Sequence, residues 1–167
     1  VSGGAGADDL LGNAEANVLR GGSGNDRLDG AGGDDEQWGE AGNDRLLASS
    51  GTDLFSGGPD SDTVDYSGRT TPIVVSLNDQ FDDGGLTDNN SRDNVGSDIE
   101  HVRGGMADDE LLGGAGNEEL LGGGGDDLLI GGGGADVLGG GLGVDTVSYQ
   151  DRVAGIVVDL MDSGGDG

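Results

Sequence analysis

Residues 122–130 read GGGGDDLLI, and the nine before them, 113–121, read GGAGNEELL. Both follow one template, GGxGxDxUx with U a bulky apolar residue, except that Glu118 stands where the aspartate is expected. Counting in nines from Gly104 gives GGMADDELL, GGAGNEELL, GGGGDDLLI, GGGGADVLG and GGLGVDTVS, ending at Ser148. A second run starts at Gly3 and ends at Asp65: GGAGADDLL, GNAEANVLR, GGSGNDRLD, GAGGDDEQW, GEAGNDRLL, ASSGTDLFS and GGPDSDTVD. Self-similarity at a fixed period marks a chain built of stacked, individually unstable units.

Position six of the repeat holds Asp8, Asp26, Asp35, Asp44, Asp53, Asp62, Asp109, Asp127, Asp136 and Asp145, with Asn17 and Glu118 as departures. Position eight is apolar from Leu10 to Val147, with Gln37 the one exception. A low-complexity acidic linker has no reason to hold an acid and an apolar residue two apart in a fixed frame. Each nonapeptide therefore reads as a six-residue turn, which glycine permits, followed by a three-residue strand whose middle side chain points inward. The predicted fold is all-β, a right-handed parallel β-roll, or β-solenoid, in two blocks joined by a strand-containing connector. The blocks are 1–65 and 104–148, the connector is 66–103, and 149–167 begin a second connector. DTVDYSGRTTPIVVSL (62–77) indeed recurs as DTVSYQDRVAGIVVDL (145–160).

If two nonapeptides make one coil, Asp8, Asp26, Asp44 and Asp62 stack in one column, and Asn17, Asp35 and Asp53 in another. In the second block Asp109, Asp127 and Asp145 stack, and beside them Glu118 and Asp136. Such rows repel themselves unless a cation intervenes. The chain carries a net charge of −27 and 40 glycines, both of which oppose a compact state. Carboxylates with turn carbonyls are hard oxygen ligands suited to Ca²⁺, which accepts 6–8 of them in irregular geometry. Glycines of the same turns complete the candidate set: Gly3, Gly21, Gly24, Gly39, Gly42 and Gly57, then Gly104, Gly122, Gly125, Gly131 and Gly140. Stacked pairs allow at most five ions in the first block and three in the second, about eight in all. The Asp8 column is expected to bind best. In the other, Asn17 lacks charge, Glu15 replaces a turn glycine and Ala48-Ser49 replaces the leading pair.

In the connector, Ile73, Val75 and Leu77 alternate with Val74 and Ser76, as Ile156, Val158 and Leu160 do further on, which predicts a strand packing beside the roll. Residues 78–98 read as a polar loop. Its aspartates could hold another ion, but without EF-hand spacing.

The acidic balance excludes nucleic acid as a partner, and no apolar run is long enough to span a membrane. With no cysteine there are no disulfides or thiolate sites. Neither H-E-x-x-H nor G-x-S-x-G occurs, so no enzyme is expected; His101 and Trp38 read as surface or packing residues. The N-terminal residues do not resemble a signal peptide, so the chain reads as a piece of a larger parent with adjoining domains.

The nonapeptide resembles the calcium-binding repeat of RTX (hemolysin-type) proteins. That resemblance covers 3–65 and 104–148. It implies a secreted or surface-exposed bacterial protein, exported by type I secretion and folding on meeting external calcium. A structural or adhesive spacer of a large surface protein, or an accessory module of a secreted enzyme, are the alternatives.

Overall fold

A computed structural model describes residues 1–85 and 92–149, and among these every regular element is a β-strand. The first run of repeats supplies β1 (Ser2–Ala5), β2 (Asp9–Asn13), β3 (Val18–Ser23), β4 (Arg27–Ala31), β5 (Glu36–Ala41), β6 (Arg45–Leu47), β7 (Leu54–Ser56) and β8 (Thr63–Asp65). Residues 66–103 supply β9 (Ile73–Ser76), β10 (Phe81–Gly85), β11 (Asp93–Val95) and β12 (His101–Arg103). The second run gives β13 (Glu110–Leu112), β14 (Glu119–Gly124), β15 (Leu128–Ile130), β16 (Val137–Leu142) and β17 (Thr146–Ser148).

Odd and even strands of the repeats separate into two sheets. One runs β1-β3-β5-β7-β11-β10-β9-β13-β15-β17 and the other β16-β14-β12-β8-β6-β4-β2. Within each run of repeats the pairing is parallel and the register advances by 18 residues, as in Leu10 with Leu28 and Leu111 with Leu129. Two nonapeptides thus make one coil of a parallel β-solenoid. The stacked position-eight residues form the core: Leu10, Leu28, Leu46, Val64, Val102, Leu120 and Leu138 in the seven-stranded sheet.

Each of the two sheets gives that core a single row of side chains. A fully buried Leu contributes about 1.5–3 kcal/mol, whereas ordering each of the nine residues in its repeat costs about 1–2 kcal/mol of backbone entropy. Ladder hydrogen bonds at about 0.5–1.5 kcal/mol each narrow the deficit. The six-residue turns contribute little apolar burial, and they are where further stabilisation is needed.

Gln37 marks the weakest layer. It stacks between Leu19 and Phe55, is fully buried, and leaves Oε1 without a partner while Nε2 donates to Leu47 O at 3.0 Å. Leu10, Leu19 and Leu28 accordingly form a small cluster separate from the main one, which begins at Leu46.

The connector differs from its sequence reading in two respects. Ile73, Val75 and Leu77 are buried on one face as expected, but β9 lies within the ten-stranded sheet, paired with β13, and not beside the roll. The stretch 78–98 is not simply a polar loop: β10 and β11 lie in it, β10 antiparallel to both β9 and β11, and β11 parallel to β7. Backbone pairing drives both differences, because the open edge of β7 has polar groups to satisfy. The seven-stranded sheet passes straight through, since β12 pairs in parallel with β8 and with β14. Ile156, Val158 and Leu160 lie outside the described residues.

Candidate metal centre

The turns place the position-six carboxylates in two columns, one coil apart, in a repeating arrangement. In each step one oxygen accepts the backbone N–H of the position-six residue one coil earlier. Asp8 N–H reaches Asp26 Oδ1 at 2.8 Å, Asp26 N–H reaches Asp44 Oδ1 at 2.7 Å, and Asp44 N–H reaches Asp62 Oδ1 at 2.8 Å. The same bond joins Asn17 to Asp35, Asp35 to Asp53, Asp109 to Asp127, Asp127 to Asp145 and Glu118 to Asp136.

The other oxygen is left over. Oδ2 of Asp8, Asp26, Asp35, Asp44, Asp62 and Asp127, and Oε2 of Glu118, are buried with no hydrogen-bond partner. An unpaired buried carboxylate oxygen is expensive, and the same unmet acceptor in turn after turn fits a cation as its partner. Backbone oxygens lie close by. A Cβ built on Gly21 would meet Asp26 Oδ2 at 2.3 Å and Gly39 O at 2.6 Å; on Gly39 it would meet Asp44 Oδ2 at 2.3 Å and Gly57 O at 2.7 Å. Gly3, Gly104 and Gly122 stand in the same relation to Asp8, Asp109 and Asp127 and to the next coil's glycine carbonyl, and Gly131 and Gly140 seat Asp136 and Asp145. Position one is glycine because a side chain there would enter the carboxylate seat. Position four is glycine for another reason: Gly24 and Gly42 both have φ of 126°, a left-handed conformation. Gly125, with φ of 114°, follows them, whereas Asp60 takes φ of 88° without glycine.

Electrostatics agree with geometry. Burial pushes Asp62 up to about 7 and Asp53 and Asp127 up to about 6, with the neighbouring carboxylate charges adding to the shift. Asp35, Asp44, Asp109 and Glu118 are raised for the same leading reason. Such carboxylates take up a proton or a metal ion in preference to remaining bare. Among the described residues no three carboxylate or histidine side chains converge as a group. The arrangement instead offers two carboxylates per step together with turn carbonyls, a donor set for Ca²⁺ rather than for a metal that seeks histidine or thiolate.

The columns are not equivalent. Asn17 spends its amide on Asp35 Oδ1 at 3.1 Å, and Ser49 Oγ donates to Asp53 Oδ2 at 3.4 Å where the leading glycine is replaced. Asp109 Oδ2 accepts the Gly105 N–H at 2.6 Å. Orphaned oxygens concentrate in the column of Asp8, Asp26, Asp44, Asp62 and Glu118.

Two column members lie outside the repeat frame used above. Asp53 N–H donates to Asp93 Oδ1, and Asp62 N–H to Glu100 Oε2, each at 2.9 Å. Their signal was available: the frame counted back nine from Gly104 puts Glu100 at position six and Val102 at position eight. Asp93 and Val95 show the same two-residue spacing.

On the outer face, Ser61 Oγ lies 2.8 Å from His101 Nε2, and His101 Nδ1 lies 2.9 Å from Glu119 Oε2. They line a cleft of about 290 Å³ with Arg45 and Arg103. Trp38 packs under the Arg20 guanidinium, 5.2 Å from its ring centre. Among the described residues no helix is long and apolar enough to cross a membrane.

A family model of the RTX calcium-binding nonapeptide repeat matches in four copies, over residues 2–36, 38–68, 94–127 and 112–147. The third copy begins inside the connector, ahead of Glu100. No curated protein matches the chain. With most of its length covered by these copies and its coils built on their 18-residue step, the chain belongs to the RTX calcium-binding nonapeptide repeat family.

Proposed function

We propose that this chain is a calcium-triggered folding module of a secreted bacterial protein, disordered inside the cell and ordered after export, and that its role is binding and not catalysis. The observation that carries the reading is the row of buried, partnerless carboxylate oxygens from Asp8 to Asp62. Bound calcium supplies positive charge to these oxygens; the chain's own turns supply the seats. Where calcium is scarce, self-repulsion and glycine entropy keep the polypeptide open and fit for passage through a type I exporter. Outside, ions that bind only the folded form stabilise it by mass action.

Small-angle scattering of the full chain tests this. Without calcium the radius of gyration is expected near 40 Å, as for an unfolded chain of this length, and with millimolar calcium less than half that. An unchanged, compact radius in chelator contradicts the reading.

One observation favours a second reading. The Ser61–His101–Glu119 line has the order of a hydroxyl activated by an imidazole held by a carboxylate. Ester hydrolysis by the calcium-loaded chain that disappears in His101→Ala supports it; equal rates in the two chains reject it.

A further inference from the structure

We propose a carbohydrate site on the outer face of the ten-stranded sheet, where Trp38 and Asn94 form a seat for a neutral, hydroxyl-rich sugar ring. It goes beyond the calcium reading, since it uses none of the column carboxylates.

Side chains alternate along a strand, so with Gln37 and Val95 buried in the core, Trp38 and Asn94 stand outward. Across the ladder Arg20 pairs with Trp38 and Trp38 with Ser56, and Gly96 follows Val95, the partner of Phe55. The Arg20 guanidinium covers one face of the indole, 5.2 Å from the ring centre, and Glu36 Oε2 accepts the indole N–H at 3.3 Å. The ring is thus fixed before a ligand arrives. Ser56 and Gly96 are small, and beside Trp38 they leave a cleft of about 330 Å³.

Two polar groups of that cleft lack a protein partner. Asn94 is only 8% exposed, yet among the described residues its side-chain amide makes no hydrogen bond. An unpaired amide so deeply buried is costly, and it can both donate and accept. Asp98 Oδ2 accepts from Ser56 Oγ at 2.8 Å and Gly58 N–H at 2.9 Å, while among the described residues Oδ1 takes no donor. A Cβ on Gly96 would stand 2.2 Å from that Oδ1, so glycine leaves room for it. Asp79 forms a further wall, its carboxylate held by the Ser97 N–H and Oγ, both at 2.8 Å.

An aromatic face beside an amide and a carboxylate suits a sugar. The electron-rich ring face attracts the C–H face of a pyranose, and hydroxyls at the sugar's edge bond to the amide and the carboxylate oxygen. Charge narrows the class. Asp79 and Asp98 repel an acidic sugar, and Arg20 already occupies the other face of the indole, so a cationic ligand gains little there.

Trp38 is the one tryptophan of the chain, so its fluorescence reports the site directly. The full chain with millimolar calcium is titrated with cellohexaose, mannohexaose and maltohexaose, and with hexagalacturonate as the acidic control. At least one neutral oligosaccharide is expected to change the emission saturably, with a Kd of about 1 mM or tighter. Asn94→Ala is expected to weaken that binding about tenfold at an unchanged calcium midpoint, and calorimetry on Trp38→Ala to show no binding. No response to any neutral sugar, or a response to hexagalacturonate alone, overturns the site. Binding by the folded variants equal to that of wild type overturns it too. Should neither variant fold, acrylamide quenching of the wild-type chain decides: bound sugar is expected to shield Trp38, and unchanged quenching at saturating sugar overturns the site.

Discussion

The backbone N–H of Asp26 donates to Oδ1 of Asp44, one coil further on, at 2.7 Å, while Oδ2 of Asp44 is buried with no partner. One carboxylate thus does two jobs: it splices successive turns and it leaves a negative oxygen for a cation. Asp44→Asn separates them, because the amide oxygen still accepts the N–H but the charge is gone. The calcium midpoint of folding is expected to rise by about tenfold or more, read by circular dichroism titration.

Glycine identity should matter by position. Gly21→Ala puts a methyl 2.3 Å from Asp26 Oδ2 and 2.6 Å from Gly39 O, and calcium-dependent folding should be lost or severely weakened. Gly124, whose added methyl meets nothing nearer than 3.8 Å, should tolerate alanine within about 0.5 kcal/mol. Urea unfolding in saturating calcium compares the two.

Acid should partly replace calcium. Asp62 and Asp93 are raised by burial to about 7, and Asp53 and Asp127 to about 6. A carboxylate raised in the folded state stabilises it below the unfolded value near 3.9, and that contribution is lost as pH rises through the folded value. In calcium-free buffer, β-structure should therefore increase from pH 7.5 towards pH 4. Calcium affinity should fall over the same range, since protons compete for the same oxygens; calorimetry at several pH values reads it.

Gln37→Leu should stabilise the calcium-loaded chain by roughly 1–3 kcal/mol, by removing a buried oxygen without a partner and joining the two core clusters. Tyr66→Phe should cost a similar amount, by stripping Asp93 Oδ2 of its donor. Denaturant midpoints at fixed calcium measure both.

Most of the fold was legible because its period is written twice over, in aspartate at position six and in leucine at position eight. The 18-residue register of the ladders follows from that arithmetic. The column carboxylates of the two runs of repeats were equally plain, since each of those sits in frame. What the period could not convey was how a chain that leaves the frame returns to it. Asp93 and Glu100 are set by strand pairing of β11 and β12 against β7 and β8, which a turn two residues short allows. Nor could spacing tell which oxygens already have donors: Tyr66 reaches Asp93 across 27 residues of chain.

The central claim is that cations bound to stacked carboxylates, and not the thin apolar core, decide whether this chain folds. Far-ultraviolet circular dichroism at pH 7.5, with calcium and then with matched ionic strength of sodium chloride plus chelator, tests it most directly. The account predicts a β-sheet spectrum in calcium, with a midpoint in the range of about 10⁻⁴–10⁻³ M usual for extracellular modules, and a disordered spectrum in sodium. The same β-sheet spectrum in both would contradict it.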